Sequence, residues 1–139
     1  MPFLTVAENY ALQQQISRRL DPDLWQRYGR DLDLSDVAGK YPATLSVGQR
    51  QRAAVVRAAA CRPAVLLADE PTSACDPDLK DAVIGVLKTA AADGSAVVMV
   101  THELALIERH GLIPVAAQSE REATGWRTRF SDTAQSVAA

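Results

Sequence analysis

The hydrophobic pattern begins with a helical period and later switches to short, unbroken apolar runs. Over residues 5–20, Val6, Tyr10 or Leu12, Ile16 and Leu20 recur at roughly helical spacing. Gln13, Gln14, Arg18 and Arg19 fall between them, so a helix is predicted there. Asp21-Pro22 offers an N-cap and a first-turn proline, which predicts a second short helix to about Arg30. Residues 31–42 are polar and broken by Gly39 and Pro42, giving a short helix and a connector. Ser46 with Gln49 three positions on is a capping-box pattern. The helix it opens runs to about Cys61, is rich in alanine and valine, and stops at Arg62-Pro63. Its small side chains let it lie close against a sheet.

Residues 64–68 form an apolar run ending in acids, as expected of a parallel strand buried on both faces. Asp76-Pro77 starts another helix, with Leu79, Val83, Val86, Leu87 and Ala90 as its apolar stripe. Gly94 ends the following turn, and residues 96–100 make a second buried strand that leads into Thr101-His102. A short helix over 103–109, a third strand over 112–116 and an edge strand over 126–130 follow. Residues 131–139 read as a small, polar, frayed tail. The order is helical first, then strand-helix-strand-helix-strand, which is an α/β arrangement with parallel pairing.

At 139 residues the chain has room for one small domain with its own core. The net charge of -2 argues for no nucleic-acid partner. Arg50, Arg52 and Arg57 gather locally and read as solvated helix faces. Cys61 and Cys75 are too few for a disulfide scaffold or a zinc site, and read as partly buried thiols of a reducing compartment. The N-terminus does not read as a signal peptide. No apolar run approaches the roughly 20 residues that span a bilayer, so a cytoplasmic setting is expected.

Four segments of the chain carry candidate chemistry. Asp69 and Glu70 stand at a strand's C-terminal end, where open α/β sheets bind ligands. Asp69 suits Mg²⁺, and Glu70 suits orienting or deprotonating a water. Alternatively, the two acids cap a strand and pair with nearby arginines. His102 follows the second strand and can hydrogen-bond a phosphate, or instead cap the helix from Glu103. Ser46-Val47-Gly48-Gln49 opens a helix whose N–H groups and dipole favour an anion, or is an ordinary capped start. Asp76 is explained locally as an N-cap.

The combination resembles the ATP-binding cassettes of ABC transporters. Residues 45–52 (Leu-Ser-Val-Gly-Gln-Arg-Gln-Arg) resemble the signature motif, residues 65–71 the Walker B motif with its glutamate, and residues 73–76 the D-loop. Thr101-His102-Glu103 resembles the switch-histidine loop, and residues 2–9 the segment just after the Q-loop. The flavour is nearest to cassettes of exporters and of lipoprotein-release or permease-linked systems. The resemblance implies a partial P-loop NTPase core of ABC type with parallel strands, preceded by a helical signature subdomain. Its divisions would be 1–61, 62–130 and the tail 131–139.

The resemblance also implies roles. Asp69 would help hold Mg²⁺, Glu70 would polarise the hydrolytic water, and His102 would contact the γ-phosphate. Ser46, Gly48 and Gln49 would contact ATP held by a second, opposing cassette, and Asp76 would lie at that interface. A transmembrane permease subunit would receive the helical region, and the chain would sit on the inner face of the membrane.

Three departures stand out, the mildest being Cys75 in the D-loop, where leucine is commoner. Val47 replaces a usual glycine and should crowd the phosphate site if φ is positive there. The 139 residues contain no G-x-x-x-x-G-K-[ST]; the only Gly-Lys pair, Gly39-Lys40, is followed by Tyr41. The expectation is therefore a C-terminal portion of a cassette that binds ATP weakly and is inactive alone, with apolar strand faces and edges left open. The alternatives are a non-catalytic fragment that donates its signature to another cassette, or a decayed fragment.

Overall fold

The computed structural model describes residues 1–18, 21–122 and 125–132. It forms two compact units, Met1–His102 and Glu103–Ala139. The helical subdomain expected over 1–61 and the start of the core at 62 both fall inside the first.

Helix α1 (Val6–Ser17) starts in a complete capping box. Thr5 Oγ1 accepts from the Glu8 N–H at 3.2 Å, and Glu8 Oε2 accepts from the Thr5 N–H at 2.7 Å. Its buried face is Val6, Tyr10 and Gln14, an i, i+4, i+8 line, while Ile16 is exposed. The expected stripe is thus wrong at its end, because a glutamine displaces an isoleucine from the core. Gln14 is tolerated there because its carboxamide donates to Tyr10 Oη at 2.6 Å and to the Asp21 carbonyl at 3.0 Å. Leu20 and Arg19 lie outside the described residues.

Tyr10 stacks on Trp25 of α2 (Pro22–Asp31) with ring centroids 4.8 Å apart. Burial pushes the Tyr10 hydroxyl up to about 12. Asp21 caps α2 through Oδ1, 3.1 Å from the Leu24 N–H. Two 3-10 turns, Ser35–Val37 and Pro42–Thr44, fill the connector. Helix α3 (Val47–Ala59) follows. Arg52 on α3 is buried, and its Nε donates to the Leu32 carbonyl at 2.9 Å. It is a strut between helices rather than the solvated arginine expected from the sequence.

Strand β1 (Val65–Asp69) and strand β2 (Ala96–Val100) pair in parallel, with Val65 opposite Ala96 and Asp69 opposite Val100. Helix α4 (Pro77–Ala92) makes the crossover between them. Its buried positions are Val83, Ile84, Val86, Leu87 and Ala90, so Ile84 joins the stripe and Leu79 is only half-buried. Helix α3 packs on β1, α4 packs on β2, and the two helices touch each other. The strands were expected to be buried on both faces. In the structure Leu66 is buried, whereas Val65, Leu67, Val98 and Val100 are exposed. The side chains alternate across a two-stranded sheet, and α3 and α4 cover one face of it.

The second unit holds helix α5 (Leu104–His110), closed by Gly111 at φ +59°. It also holds a hairpin of β3 (Val115–Glu122) and β4 (Gly125–Asp132). The third strand was expected over 112–116 within a parallel arrangement. It lies instead over 115–122 and pairs antiparallel with β4, from Val115 opposite Asp132 to Glu122 opposite Gly125. Two residues separate these strands in sequence, and so short a connection forces antiparallel pairing. Ser131 and Asp132, assigned to the tail, belong to β4; residues 133–139 lie outside the described residues. No helix among the described residues is long and apolar enough to cross a membrane.

Candidate functional site

The C-terminal ends of β1 and β2 gather the acids and the histidine. Asp69 closes β1, exposed, and among the described residues its carboxylate makes no hydrogen bond or ion pair. Glu70 extends the ladder one step further, its N–H donating to the Val100 carbonyl at 2.9 Å. The backbone then turns sharply, with Glu70 at φ +45°, in the left-handed region uncommon for a residue bearing a Cβ.

The turn redirects the Glu70 side chain toward His102, whose Nε2 lies 3.4 Å from Glu70 Oε1. This is ion-pair distance for a protonated imidazole but not a hydrogen bond, and Oε1 is shielded from water without a hydrogen-bond partner. The His102 side chain is 93% exposed. Glu103, three positions before Leu106, accepts the Leu106 N–H through its carbonyl at 3.0 Å, so the turn into α5 begins there and His102 does not cap it.

Residues 70–75 fold into a compact turn. The Ser73 N–H donates to the Glu70 carbonyl at 3.2 Å and the Cys75 N–H to the Thr72 carbonyl at 3.1 Å, with Thr72 fully buried beneath. Asp76 then caps α4, Oδ1 accepting from the Leu79 N–H at 3.0 Å. Among the described residues Asp76 makes no hydrogen bond to the other candidates.

The start of α3 leans on this turn. Ser46 Oγ accepts from the Gln49 N–H at 3.1 Å, and Gln49 Oε1 accepts from the Ser46 N–H at 3.0 Å. The cap therefore satisfies two first-turn donors and leaves the N–H groups of Val47 and Gly48 for an anion. Val47 is exposed and is not among the residues of positive φ, so its side chain strains nothing. A Cβ at 48 would meet Ala74 O well inside van der Waals distance, so the missing side chain makes room for the 70–75 turn.

Gln51, one turn further along the same face of α3, was not singled out in the sequence. Its Nε2 donates to the Glu70 carbonyl and, at 3.1 Å, to Ser73 Oγ, while its Oε1 accepts from the Ala74 N–H at 3.1 Å. Its position three residues after Gly48, on the same helix face, was the only available sign.

A family model described as ABC transporter matches residues 1–73, just over half of the 139. The chain belongs to the ABC transporter family. Among curated relatives of this family, the glutamine transport ATP-binding protein GlnQ of Escherichia coli (strain K12) is 38% identical over 112 residues, covering 78% of this chain and 47% of that protein. The methionine import ATP-binding protein MetN of Brucella abortus (strain 2308) is 40% identical over 122 residues, covering 78% of this chain and 33% of that protein. The first name concerns glutamine transport and the second methionine import. A dimeric post-hydrolysis ATP-binding cassette bound to ADP and Pi superimposes with a TM-score of 0.63 at 30% identity, covering 76% of this chain and 49% of that structure. The α/β fold with parallel strands is that of ABC cassettes. The chain spans half or less of the length of these proteins.

Proposed function

We propose that this chain contributes the signature, the acidic strand end and the switch histidine to the ATP-binding subunit of an ABC transporter, which couples ATP binding and hydrolysis to transport across a membrane. The observation that carries this reading is the meeting of Glu70 and His102 at the ends of two adjacent parallel strands. Ligands of open α/β sheets bind at such strand ends. Glu70 offers a half-buried carboxylate at the strand end, suited to accept a proton from a water aimed at a phosphate. His102 offers an exposed imidazole from the neighbouring strand as a donor to the γ-phosphate.

Asp69 fits Mg²⁺ as a single uncommitted carboxylate. No cluster of three ligating side chains exists among the described residues. Mg²⁺ commonly takes one or two carboxylates and completes its shell with water and phosphate oxygens. When bound it neutralises charge on the transferred phosphoryl group. Ser46, Gly48 and Gln49 would face ATP held by a second cassette, through the N-terminus of α3. Asp76 would lie at that interface, and the helices of residues 1–61 would meet a permease subunit at the inner face of the membrane.

The test is MgATP turnover. The 139-residue sequence contains no G-x-x-x-x-G-K-[ST], and the chain is expected to show none by itself. Joined in frame behind a G-x-x-x-x-G-K-[ST] segment of an ABC cassette, it is expected to hydrolyse MgATP. Glu70→Gln should then slow hydrolysis by about 10²–10⁴-fold, the usual worth of a positioned general base. A fused cassette indifferent to Glu70→Gln, or steady turnover by the unextended chain, would refute the reading. A second reading, in which the chain only donates its signature, is favoured by the exposed first turn of α3 at Ser46 and Val47. It predicts loss of function on Ser46→Arg but not on Glu70→Gln.

A further inference from the structure

Glu70 stands in a backbone region that a residue with a Cβ occupies only when its surroundings over-determine it. Three hydrogen bonds do so. The Glu70 N–H is tied to Val100 on β2, and its carbonyl is taken by the Ser73 N–H and by the carboxamide of Gln51. Only the last of these comes from outside the strand ends and the turn itself. Gln51 also receives the Ala74 N–H and donates to Ser73 Oγ, so one side chain of α3 fastens both arms of the turn. One helical turn earlier Gly48 lets the Ala74 carbonyl press against the helix. Residues 46–49 and the 70–75 turn therefore sit in a single clamped assembly.

We propose that Gln51 is a positioning residue that couples the anion-facing start of α3 to the orientation of the Glu70 carboxylate against His102. The meaning of this coupling for hydrolysis rests on the function proposed above. If Gln51 lets go, the Glu70 carbonyl keeps only the Ser73 N–H, the Glu70 backbone can relax from its positive φ, and the carboxylate leaves its place 3.4 Å from His102 Nε2. An anion that shifts the start of α3 would pull on the same carboxamide. Nucleotide at the signature and the water-orienting acid would then report to each other through one residue.

Two variants separate this role from simple helix packing. Gln51→Ala removes all three bonds. Gln51→Glu keeps the acceptor for Ala74 and loses both donors. Nuclear magnetic resonance on the full 139-residue chain reads two signals. Hydrogen exchange at the Ala74 amide is expected to rise about 10-fold in Gln51→Ala, because its acceptor is gone and the turn opens locally, and to stay protected in Gln51→Glu. The imidazole resonances of His102, which Gln51 does not touch, are expected to move in both variants, because both release the Glu70 carbonyl. Unchanged His102 resonances in both variants would overturn the proposal, even with Ala74 deprotected, since that pattern is mere packing.

In the fused cassette kcat is expected to fall about 10²-fold for both variants, with KM for MgATP within about twofold, as for a misplaced reacting group. A fall in Gln51→Ala alone would assign the effect to Ala74 and overturn the proposal. Should the unsubstituted fused cassette show no turnover, the proposed function fails, and the resonances of the unextended chain still decide the role of Gln51.

Discussion

At position 48 two opposing effects can be weighed. Replacing a helical glycine by alanine normally gains up to about 1 kcal/mol of helix propensity. Here the new methyl group would run into the Ala74 carbonyl, and that backbone cannot retreat because Gln51 holds the Ala74 N–H. Overpacking against fixed atoms costs about 1–3 kcal/mol, so Gly48→Ala is expected to destabilise the chain despite its propensity gain. Val47→Gly restores the family's usual residue at a site with no strain to relieve, and should lose at most about 1 kcal/mol. Urea midpoints of the two variants check both signs. A Gly48→Ala chain more stable than its parent would mean that the turn is free to move. Glu70 and His102 were legible in the sequence because each lies two residues past an apolar strand run, and strand ends are where such sheets bind. Gln51 was not, because its partners are atoms of a turn 19–23 residues away and no local pattern marks it.

Elements were legible wherever their signal was local. Thr5, Asp21, Ser46 and Asp76 were each placed at or beside a helix start, and each now accepts from an N–H three residues on. Pairing partners were not local, and the reading met them in part: the first two strands pair in parallel as expected, whereas the third turned from parallel to antiparallel. A pH prediction belongs at this level. The Thr5 N–H first, and its hydroxyl second, hold the Glu8 carboxyl below its ordinary value of 4.5. A lowered folded-state pKa means that the ionised cap stabilises α1 fully above about that pH, and that this contribution fades as the pH falls through the folded value. Glu8→Gln keeps an acceptor for the Thr5 N–H but does not titrate. The melting temperature of the parent should therefore drop more steeply between pH 5 and 3 than that of Glu8→Gln, by an amount limited by the exposure of the site. Parallel curves would show that the cap carries no pH dependence.

For the first unit taken whole, the open face of the β1–β2 sheet governs behaviour in solution. Leu67 is 76% exposed and its register partner Val98 is 55% exposed, with Val65 and Val100 beside them. In a two-stranded sheet each strand also has one unpaired edge. An apolar face bounded by open edges invites strand pairing with another chain. Substituting lysine at both central positions adds charge where no packing exists to be lost. The cost to folding should stay within a few tenths of a kcal/mol, set by lysine's weaker strand propensity. Sedimentation velocity of the 139-residue chain is therefore expected to show larger species that grow with concentration, and the Leu67→Lys/Val98→Lys chain to remain monomeric with a nearly unchanged urea midpoint. A parent that stays monomeric at every concentration would show that the open face alone does not drive association. A double variant that unfolds early would mean instead that this face is covered within the chain.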